Sequence, residues 1–279
     1  MGIIDWVWIL GIVIVFGVGL LISWMLYEAM RHAIVPIDVE LDRLPVAFEG
    51  CTILLITDIH RRTLPRDLLL SMQGTVNWVF LGGDIMEKNV PLSKVERNIQ
   101  SVKGVAPVYA VYGNHDHHAG VAGLGALLQR YNVNLLQNDN SPLEHNGEQV
   151  WLTGMDYPHV YQHAYPALPE LPEDEMNRCR IVLVHDPAWV TRYAILPADL
   201  ILSGHTHGGQ IRFPFIGAPQ LNAFYKQHAH GLFKWNQPHA LVKTAQMLVS
   251  RGFGYRHIPL RFRCSSEMNL ITLHKKSSV

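Results

Sequence analysis

The sequence has few cysteines and few charged residues for its 279-residue length. The three cysteines, Cys51, Cys179 and Cys264, are odd in number and far apart, so they define neither a disulfide framework nor a Cys-x-x-Cys metal clip. Charged residues make up only 16% of the chain, which excludes a disordered acidic or basic protein. Basic and acidic residues both number 23, so the net charge is zero and no nucleic-acid partner is expected.

Charge is also absent from residues 6–27, a run dominated by Ile, Val, Leu, Gly and Phe. About 20 apolar residues rising 1.5 Å each span a hydrocarbon core of ~30 Å. Trp6 and Trp8 stand at one end of the run and Trp24 and Tyr27 at the other, where the two membrane interfaces favour such rings. We therefore predict that residues 1–30 are a transmembrane anchor in the lipid bilayer, followed by a tether over residues 31–50.

Two other structures for this run are less consistent with the sequence. A cleaved signal peptide needs a basic start and a small-residue cleavage site, and this segment has neither. A buried core helix at the N-terminus would have little to pack on. Arg31 and Arg43 follow the span and no basic residue precedes it, so the positive-inside rule predicts a single-pass protein of the cell membrane with a cytoplasmic C-terminal body.

The remainder, residues 51–279, is predicted to be one α/β domain. Short apolar runs end in polar clusters at 51–57, 76–81, 107–112, 180–184 and 199–202. Helical stretches are predicted at 65–73, 91–102, 119–131 and 187–196, and further strands at 133–136, 149–153, 246–249 and 268–274. Alternating strands and helices indicate an α/β architecture, in which ligands gather at the carboxyl ends of the strands.

The polar clusters contain seven oxygen or imidazole donors, each just past an apolar run, in a chain rich in histidine. They are Asp58, His60, Asp84, Asn114, His185, His205 and His207. Each alone is more typical of a turn or a hydrogen-bonded core residue, whereas the set indicates a metal site. The i, i+2 spacing of 58/60 and 205/207 predicts that each pair points to one side of its strand end. Donors without thiolate suit Mn²⁺, Fe or Zn²⁺, and seven of them suit two divalent ions that share a carboxylate.

The ordered series D-x-H (58–60), G-G-D (82–84), G-N-H-D (113–116), His185 and G-H-T-H-G-G (204–209) closely resembles the calcineurin-like metallophosphoesterase superfamily. Residues 208–212, 250–254 and 259–262 also resemble a membrane-linked bacterial branch that includes UDP-2,3-diacylglucosamine pyrophosphohydrolases and related phosphodiesterases. Residues 264–267 depart from that branch because they lack its prolines. The resemblance implies an αββα fold, a two-sheet β sandwich flanked by helices.

The resemblance also implies individual roles. Asp58, His60 and His207 would hold the first metal, Asp84 would bridge both metals, and Asn114, His185 and His205 would hold the second. His115 would be the acid that faces the leaving group, and Asp116 would orient it. Arg61 and Arg62 directly follow the first ligand pair, so they are candidates for binding substrate phosphate, with a solvated surface pair as the alternative.

Two such cations can present hydroxide at neutral pH and neutralise charge on phosphoryl oxygens. We therefore predict a membrane-anchored phosphodiesterase or pyrophosphohydrolase. Its expected substrate is a lipid-linked or cell-envelope precursor, such as a UDP-diacylglucosamine-type compound. The alternatives are a non-catalytic metal-binding scaffold, which would lack a ligand or His115, and a nuclease of the same superfamily, which the zero net charge disfavours. No protein partner is predicted.

Residues 211–235 form a long, aromatic-rich segment that is too apolar for disorder. One interpretation is a cover packed over the sheet edge. The other is an apolar wall or interfacial lip beside the metals that admits a lipid-linked phosphoester.

Overall fold

A computed structural model describes residues 2–158, 166–193, 196–237 and 242–276 of the chain. The α-helices are α1 (Ile3–Met30), α2 (Arg66–Leu70), α3 (Leu92–Lys103), α4 (Asn114–Ala119), α5 (Val121–Arg130) and α6 (Ala223–Gln227). The strands are β1 (Ala33–Leu41), β2 (Thr52–Ile56), β3 (Trp78–Gly82), β4 (Val108–Val111), β5 (Asn134–Leu135), β6 (Asp139–His145), β7 (Glu148–Met155), β8 (Arg180–Val184), β9 (Leu200–Ser203), β10 (Gly231–Asn236), β11 (Thr244–Val249) and β12 (Glu267–Lys275).

The strands form two six-stranded mixed sheets packed face to face. The first sheet has the order β1-β12-β2-β3-β4-β5 and the second β10-β11-β9-β8-β7-β6. Strands β2 to β5 run parallel to one another, as do β7, β8, β9 and β11. The predicted two-sheet sandwich with flanking helices is therefore confirmed, and one long apolar helix precedes it.

Three apolar clusters correspond to the layers of this sandwich. The central cluster fills the space between the sheets and includes Phe48 and Phe80. On the outer face of the first sheet, α3 buries Val95, Ile99 and Val102. Their i, i+4, i+7 spacing places them on one stripe of the helix. A third cluster, around the fully buried Trp189, covers the outer face of the second sheet.

Five segments differ in detail from the sequence-based expectations. Residues 31–50, predicted as a tether, contain β1, which pairs in parallel with β12 over nine residues. The predicted helix 119–131 is replaced by α4 and α5, which meet at Gly120 with a φ of 94°. The stretch 187–196 forms a 3-10 helix over Pro187–Arg192, and residues 194–195 lie outside the described residues. Strands β6 and β10 were not predicted.

The C-terminal end of α1 is docked onto the sandwich. The Arg261 amide donates to the Met25 carbonyl at 3.1 Å, and the Ser266 amide donates to the Glu28 carbonyl at 3.1 Å. Glu28 and Ala29 are buried, whereas the apolar window of the helix has no buried residues in the described structure. The last turn of α1 therefore belongs to the folded body, and the rest projects from it.

Residues 211–235 divide into two parts with different environments. Phe224, Phe233 and Trp235 pack against the third apolar cluster, as the cover interpretation predicts. Phe213 and Phe215, by contrast, are exposed. Helix α6 and strand β10 give the second part its own hydrogen-bonded structure, so a single interpretation does not fit the whole segment.

Candidate metal centre

The predicted ligands lie in turns just past the carboxyl ends of β2, β3, β8 and β9, or at the start of α4. Five of the seven have a positive φ, between 50° and 69°: Asp58, His60, Asp84, His205 and His207. Such a left-handed backbone is uncommon for residues other than glycine and clusters at functional sites. The sharp turns, rather than the alternation of a strand, direct these side chains. As a result, His205 and His207 face different groups of ligands instead of one.

The first group consists of Asp58, His60 and His207, all buried. His60 Nε2 lies 3.1 Å from His207 Nε2, and His207 Nε2 lies 3.4 Å from Asp58 Oδ1. Burial lowers the pKa of His207 well below its usual value, so its imidazole is neutral. Two ring nitrogens that face each other beside a carboxylate leave lone pairs directed at one point, which is the arrangement a cation fits.

The second group lies around Asp84, His185, His205 and Asn114. His185 Nε2 is 3.2 Å from Asp84 Oδ2, and His205 Nδ1 is 3.0 Å from Asn114 Oδ1 and 3.3 Å from His185 Nε2. His185 Nδ1 lies 2.8 Å from the Gly82 carbonyl, so Nδ1 carries a proton and Nε2 is left to bind a cation. Carboxylate, amide and imidazole donors thus meet at a second point.

Asp84 lies between the two groups, because its Oδ2 is also 3.6 Å from His60 Nε2. Burial by itself raises the pKa of Asp84, but His185 and then His60 hold the pKa of this carboxyl well below its usual range. For His185 the two effects have the opposite signs: burial lowers its pKa, but the nearby Asp84 carboxylate outweighs burial and raises that pKa to about 10. Both shifts show that the buried carboxylate strongly attracts positive charge, so the residues fit a cation here.

His115 lies beside the predicted ligands, and Asp116 is buried next to them. The His115 amide donates to Asp84 Oδ1 at 2.8 Å, and the His115 ring packs edge-on against His60. The Asp116 carboxylate accepts from the amides of Gly113 at 2.9 Å and Met86 at 2.8 Å. Asp116 therefore ties together the turns that follow β3 and β4. Burial, and then the charge of Asp84, raises the pKa of Asp116 to about 7.

Glu87 was not among the residues predicted from the sequence. Its Oε2 lies 3.2 Å from His60 Nδ1, and a carboxylate at this distance favours the tautomer in which His60 Nε2 is free to bind a metal. Burial raises the pKa of Glu87, but its hydrogen bonds with His60 and Arg61 dominate and lower it. The available signal was its position three residues after Asp84, close to the other polar turns.

The two predicted phosphate-binding arginines have different environments. Arg61 is half-exposed and pairs with Glu87. Arg62 is buried, with its guanidinium 3.8 Å from the ring centre of Phe253, and it donates to the Met30 carbonyl at 2.8 Å. Burial is the main cause that lowers the pKa of Arg62 to about 10. The structure therefore brings Arg61 near the ligands and directs Arg62 to the end of α1.

A cavity of about 300 Å³ opens over the ligands. His115, Tyr225 and Arg256 line it, together with Gln210 and Gln220. The Tyr225 hydroxyl donates to Asp186 Oδ1 at 2.9 Å, and the Tyr225 ring lies beside His205. An arginine and several amides around a metal centre can bind an anionic substrate beyond the atoms that the cations hold.

Comparisons with known proteins assign the family. The profile of the calcineurin-like phosphoesterase family matches residues 51–209, which include all seven predicted ligands. The chain belongs to this family. It is therefore a metal-dependent phosphoester hydrolase, as the sequence motifs predicted.

Three relatives illustrate its range. The chain is 32% identical over 226 residues to the uncharacterized protein YpbG of Bacillus subtilis, covering 80% of each chain. It is 28% identical to the phosphodiesterase YaeI of Escherichia coli, covering 79% of this chain and 81% of YaeI. It is also 28% identical to a Danio rerio transmembrane protein with a metallophosphoesterase domain, covering 88% of this chain and 58% of that protein. Together with the apolar helix α1, the last similarity indicates membrane association.

Proposed function

We propose that the protein is a single-pass membrane phosphodiesterase or pyrophosphohydrolase whose metal centre acts on lipid-linked substrates. The observation that supports the chemistry is that His60 Nε2 and Asp58 Oδ1 both lie within 3.4 Å of His207 Nε2. Asp84 lies between this group and a second group of candidate ligands. The observation that supports the substrate class is the docking of the α1 end onto the body.

The proposed centre holds two divalent ions. Asp58, His60 and His207 would bind one of them, and Asp84 would bind both. The remaining donors, Asn114, His185 and His205, would bind the other. When bound, the ions supply a nucleophilic water near neutral pH and Lewis acidity toward the phosphoryl oxygens. Mn²⁺, Fe and Zn²⁺ all suit this donor set.

The protein's own residues bind and orient the substrate. His115 lies at the cavity wall and would donate a proton to an alkoxide leaving group. Asp116 would position His115 through the amides that it accepts rather than by touching the imidazole. Arg256 would bind a second phosphate or an anionic leaving group, because its side chain lines the same cavity.

Membrane geometry supports a lipid-linked substrate. Residues 1–30 would form the anchor, and their last turn is part of the catalytic body, so the metal centre cannot move far from the bilayer. A substrate held in the same bilayer is then at high local concentration. Arg31 and Arg43 after the span support a cytoplasmic body.

The test is a panel assay of the full chain in phospholipid vesicles. After chelation, the protein would be reloaded with Mn²⁺, Fe²⁺ or Zn²⁺ and assayed on bis(p-nitrophenyl) phosphate, p-nitrophenyl phosphate and a matched pair of nucleotide sugars. The pair would be UDP-diacylglucosamine and the unacylated UDP-N-acetylglucosamine. We expect turnover of the diester and a clear preference for the acylated pyrophosphate, both lost in Asp84→Asn.

Each failure has a separate meaning. No turnover of any phosphoester with any ion would support a non-catalytic metal scaffold. Equal turnover of the acylated and unacylated sugars would refute the lipid-linked substrate while leaving the phosphoesterase intact. Cleavage of single-stranded DNA or RNA in preference to all of these would support the nuclease alternative.

The orientation can be tested with an impermeant maleimide in intact cells. The native cysteines are all buried, so Val46→Cys would be the reactive thiol among the described residues of the body. Protection in intact cells and labelling after lysis are expected for a cytoplasmic body. Labelling in intact cells would place the body on the outside.

A further inference from the structure

Four large apolar side chains are exposed on two loops that start at the rim of the candidate metal centre's cavity. Phe213, Phe215 and Ile216 lie in the loop after the G-H-T-H-G-G motif, and Ile258 lies in the C-terminal loop hydrogen-bonded to the base of the first. We call these four residues the apolar tip. Phe215 is fully exposed, and its φ of 65° is strained for a bulky side chain. An exposed apolar group of this kind, supported by a strained backbone, indicates a contact surface.

The two loops of the apolar tip are joined to each other by backbone hydrogen bonds. The Arg212 amide donates to the Phe262 carbonyl at 3.0 Å, and the Phe262 amide donates to the Gln210 carbonyl at 2.9 Å. The side-chain amide of Gln210 donates to the Ile258 carbonyl at 3.2 Å. The tip is therefore a fixed part of the body.

The same loops contact the end of the apolar helix. Arg261, the neighbour of Phe262, donates its amide to the Met25 carbonyl at 3.1 Å. Met25 is adjacent to Trp24 and within one turn of Tyr27, and both rings are exposed. Since Trp and Tyr mark the headgroup level of a span, the base of the apolar tip lies at that level.

The two loops of the tip contain basic residues and no acidic ones. Residues 211–222 and 254–263 contain four arginines and no aspartate or glutamate, although the whole chain is neutral. Arg256 and Arg263 are exposed in the loop that carries Ile258, and Arg31 is exposed at the end of α1. Apolar side chains flanked by cations are the combination that anionic lipid surfaces bind.

We propose that the apolar tip inserts into the same leaflet as the C-terminal end of α1 and forms a second contact between the body and the bilayer. This inference rests on the proposed anchoring by α1. A single helix docked through its last turn fixes the distance between the body and the bilayer. A second contact beside it would also fix the angle of the body relative to the bilayer plane.

The second contact has a consequence for access to the metal centre. Gln210 and Arg256 line the cavity, and they stand near the starts of the two loops of the tip. Insertion of the tip would place this wall of the cavity against the headgroups, so a substrate could enter from the bilayer without leaving it. The tip would then act as the interfacial lip that the sequence analysis considered for residues 211–235.

The test uses site-specific labelling of the full chain in vesicles. Because the described cysteines are buried, Phe215→Cys can be labelled selectively with an NBD maleimide in detergent. The labelled protein would be reconstituted into 3:1 phosphatidylcholine/phosphatidylglycerol vesicles, with and without doxyl-labelled lipid. We expect a blue-shifted emission that doxyl lipid lowers roughly twofold, because insertion of about 5–10 Å brings the dye to the upper acyl chains.

Two control positions distinguish insertion of the apolar tip from anchoring by α1. Gly17→Cys lies at the centre of α1 and must be quenched if the helix spans the bilayer. Val46→Cys is also exposed but follows β1, whose nine residues at about 3.3 Å each carry the chain ~30 Å from the end of α1, so we expect no quenching there.

The outcomes are distinct. Quenching at 17 and 215 but not at 46 supports the second contact. Quenching at 17 alone overturns it while leaving the anchor intact, and no quenching at 17 refutes the anchor. Self-quenching of dyes at 215 that rises with protein density and ignores doxyl lipid would show that a second copy covers the tip, which also overturns the proposal. Unchanged turnover of bis(p-nitrophenyl) phosphate by the labelled variants confirms that they are folded.

Discussion

The Arg62 guanidinium donates to the carbonyl of Met30, the last residue of helix α1, at 2.8 Å. Arg62 stands two residues after the predicted ligand His60, so one short turn contacts both the candidate metal centre and the end of the apolar helix. Arg261 is fully buried, and it donates its amide to the Met25 carbonyl of α1 and its guanidinium to the His207 carbonyl at 3.3 Å. Two buried arginines therefore link the candidate metal centre to the end of α1.

Arg62→Met is expected to destabilise the protein. The substitution keeps much of the side-chain volume over Phe253 but removes the donor to the Met30 and Phe253 carbonyls, at about 1–3 kcal/mol for each unsatisfied group. We expect a loss of about 2–4 kcal/mol in the free energy of unfolding, measured by denaturant titration in detergent. Arg66→Met, at an exposed position on α2, is the control and should stay within about 0.5 kcal/mol. A normal stability together with a raised KM would instead show that Arg62 binds substrate.

Gly83→Ala should disrupt the second ligand group by direct collision. A Cβ at Gly83 would lie 2.6 Å from His185 Nδ1 and 2.9 Å from the Gly113 nitrogen. Gly74→Ala is a matched control. The φ of Gly74 is 83°, close to the 85° of Gly83, but nothing lies within 4 Å of a Cβ added at Gly74. Both variants should lose about 1–2 kcal/mol through the left-handed backbone. Metal content, measured by mass spectrometry, should fall in Gly83→Ala alone, and equal metal content in both would refute the collision.

Glu87→Gln should weaken metal binding without removing a ligand. The Glu87 carboxylate, 3.2 Å from His60 Nδ1, favours a proton on that nitrogen, and loss of such a partner typically lowers metal affinity about 10–100-fold. Calorimetric titration of chelator-treated protein with Mn²⁺ measures the change. Glu96→Gln on α3 serves as the control, since that carboxylate pairs with Arg130 far from the ligands in the sequence. Identical affinities for the two variants would show that Glu87 plays no part in the site.

His115→Gln should retain its metals while losing turnover of substrates with alkoxide leaving groups. Removal of a general acid lowers the rate about 10²–10⁴-fold. His118→Gln, at an exposed position on the same helix, should leave the rate unchanged. Loss of metal together with activity in His115→Gln would mean that His115 is a ligand instead.

The acid role also predicts a pH dependence. Burial is the main cause that lowers the pKa of His115 below the usual 6.5, and bound cations would lower it further. An acid must be protonated, so kcat for an alkyl phosphodiester should fall about tenfold per pH unit above that lowered pKa. The fall should be absent in His115→Gln. A wild-type rate that rises through this range would remove His115 from the acid role.

The sequence determined the central strands, the apolar helix and which candidate donors follow the strands. Residues 181–184 are continuously apolar because the strand is buried on both faces, and the predicted strand 180–184 matches β8 to the residue. Metal-binding chemistry depends on residue type, so the donors after each run could be named directly. The ordered motifs then indicated the family that the profile match confirms.

Segments whose pattern is set by distant partners could not be predicted in the same way. Strand β1 contains Pro36 and charged residues and resembled a tether, yet it forms an edge strand because β12, more than 200 residues away, provides its hydrogen bonds. The two parts of residues 211–235 are similarly apolar, and only the third cluster decides which part is covered.

The arrangement within the site was decided by tertiary structure. Residue spacing suggested that His205 and His207 share one side, but left-handed turns send them to different ligand groups. Likewise, nothing local distinguishes Arg61 from Arg62: the first pairs with Glu87, and the second is buried because the end of α1 and the Phe253 ring enclose it. The chemistry of each residue follows from its type and can be read from the sequence. Contacts between distant segments form only when the two sheets pack together and the end of α1 packs against them.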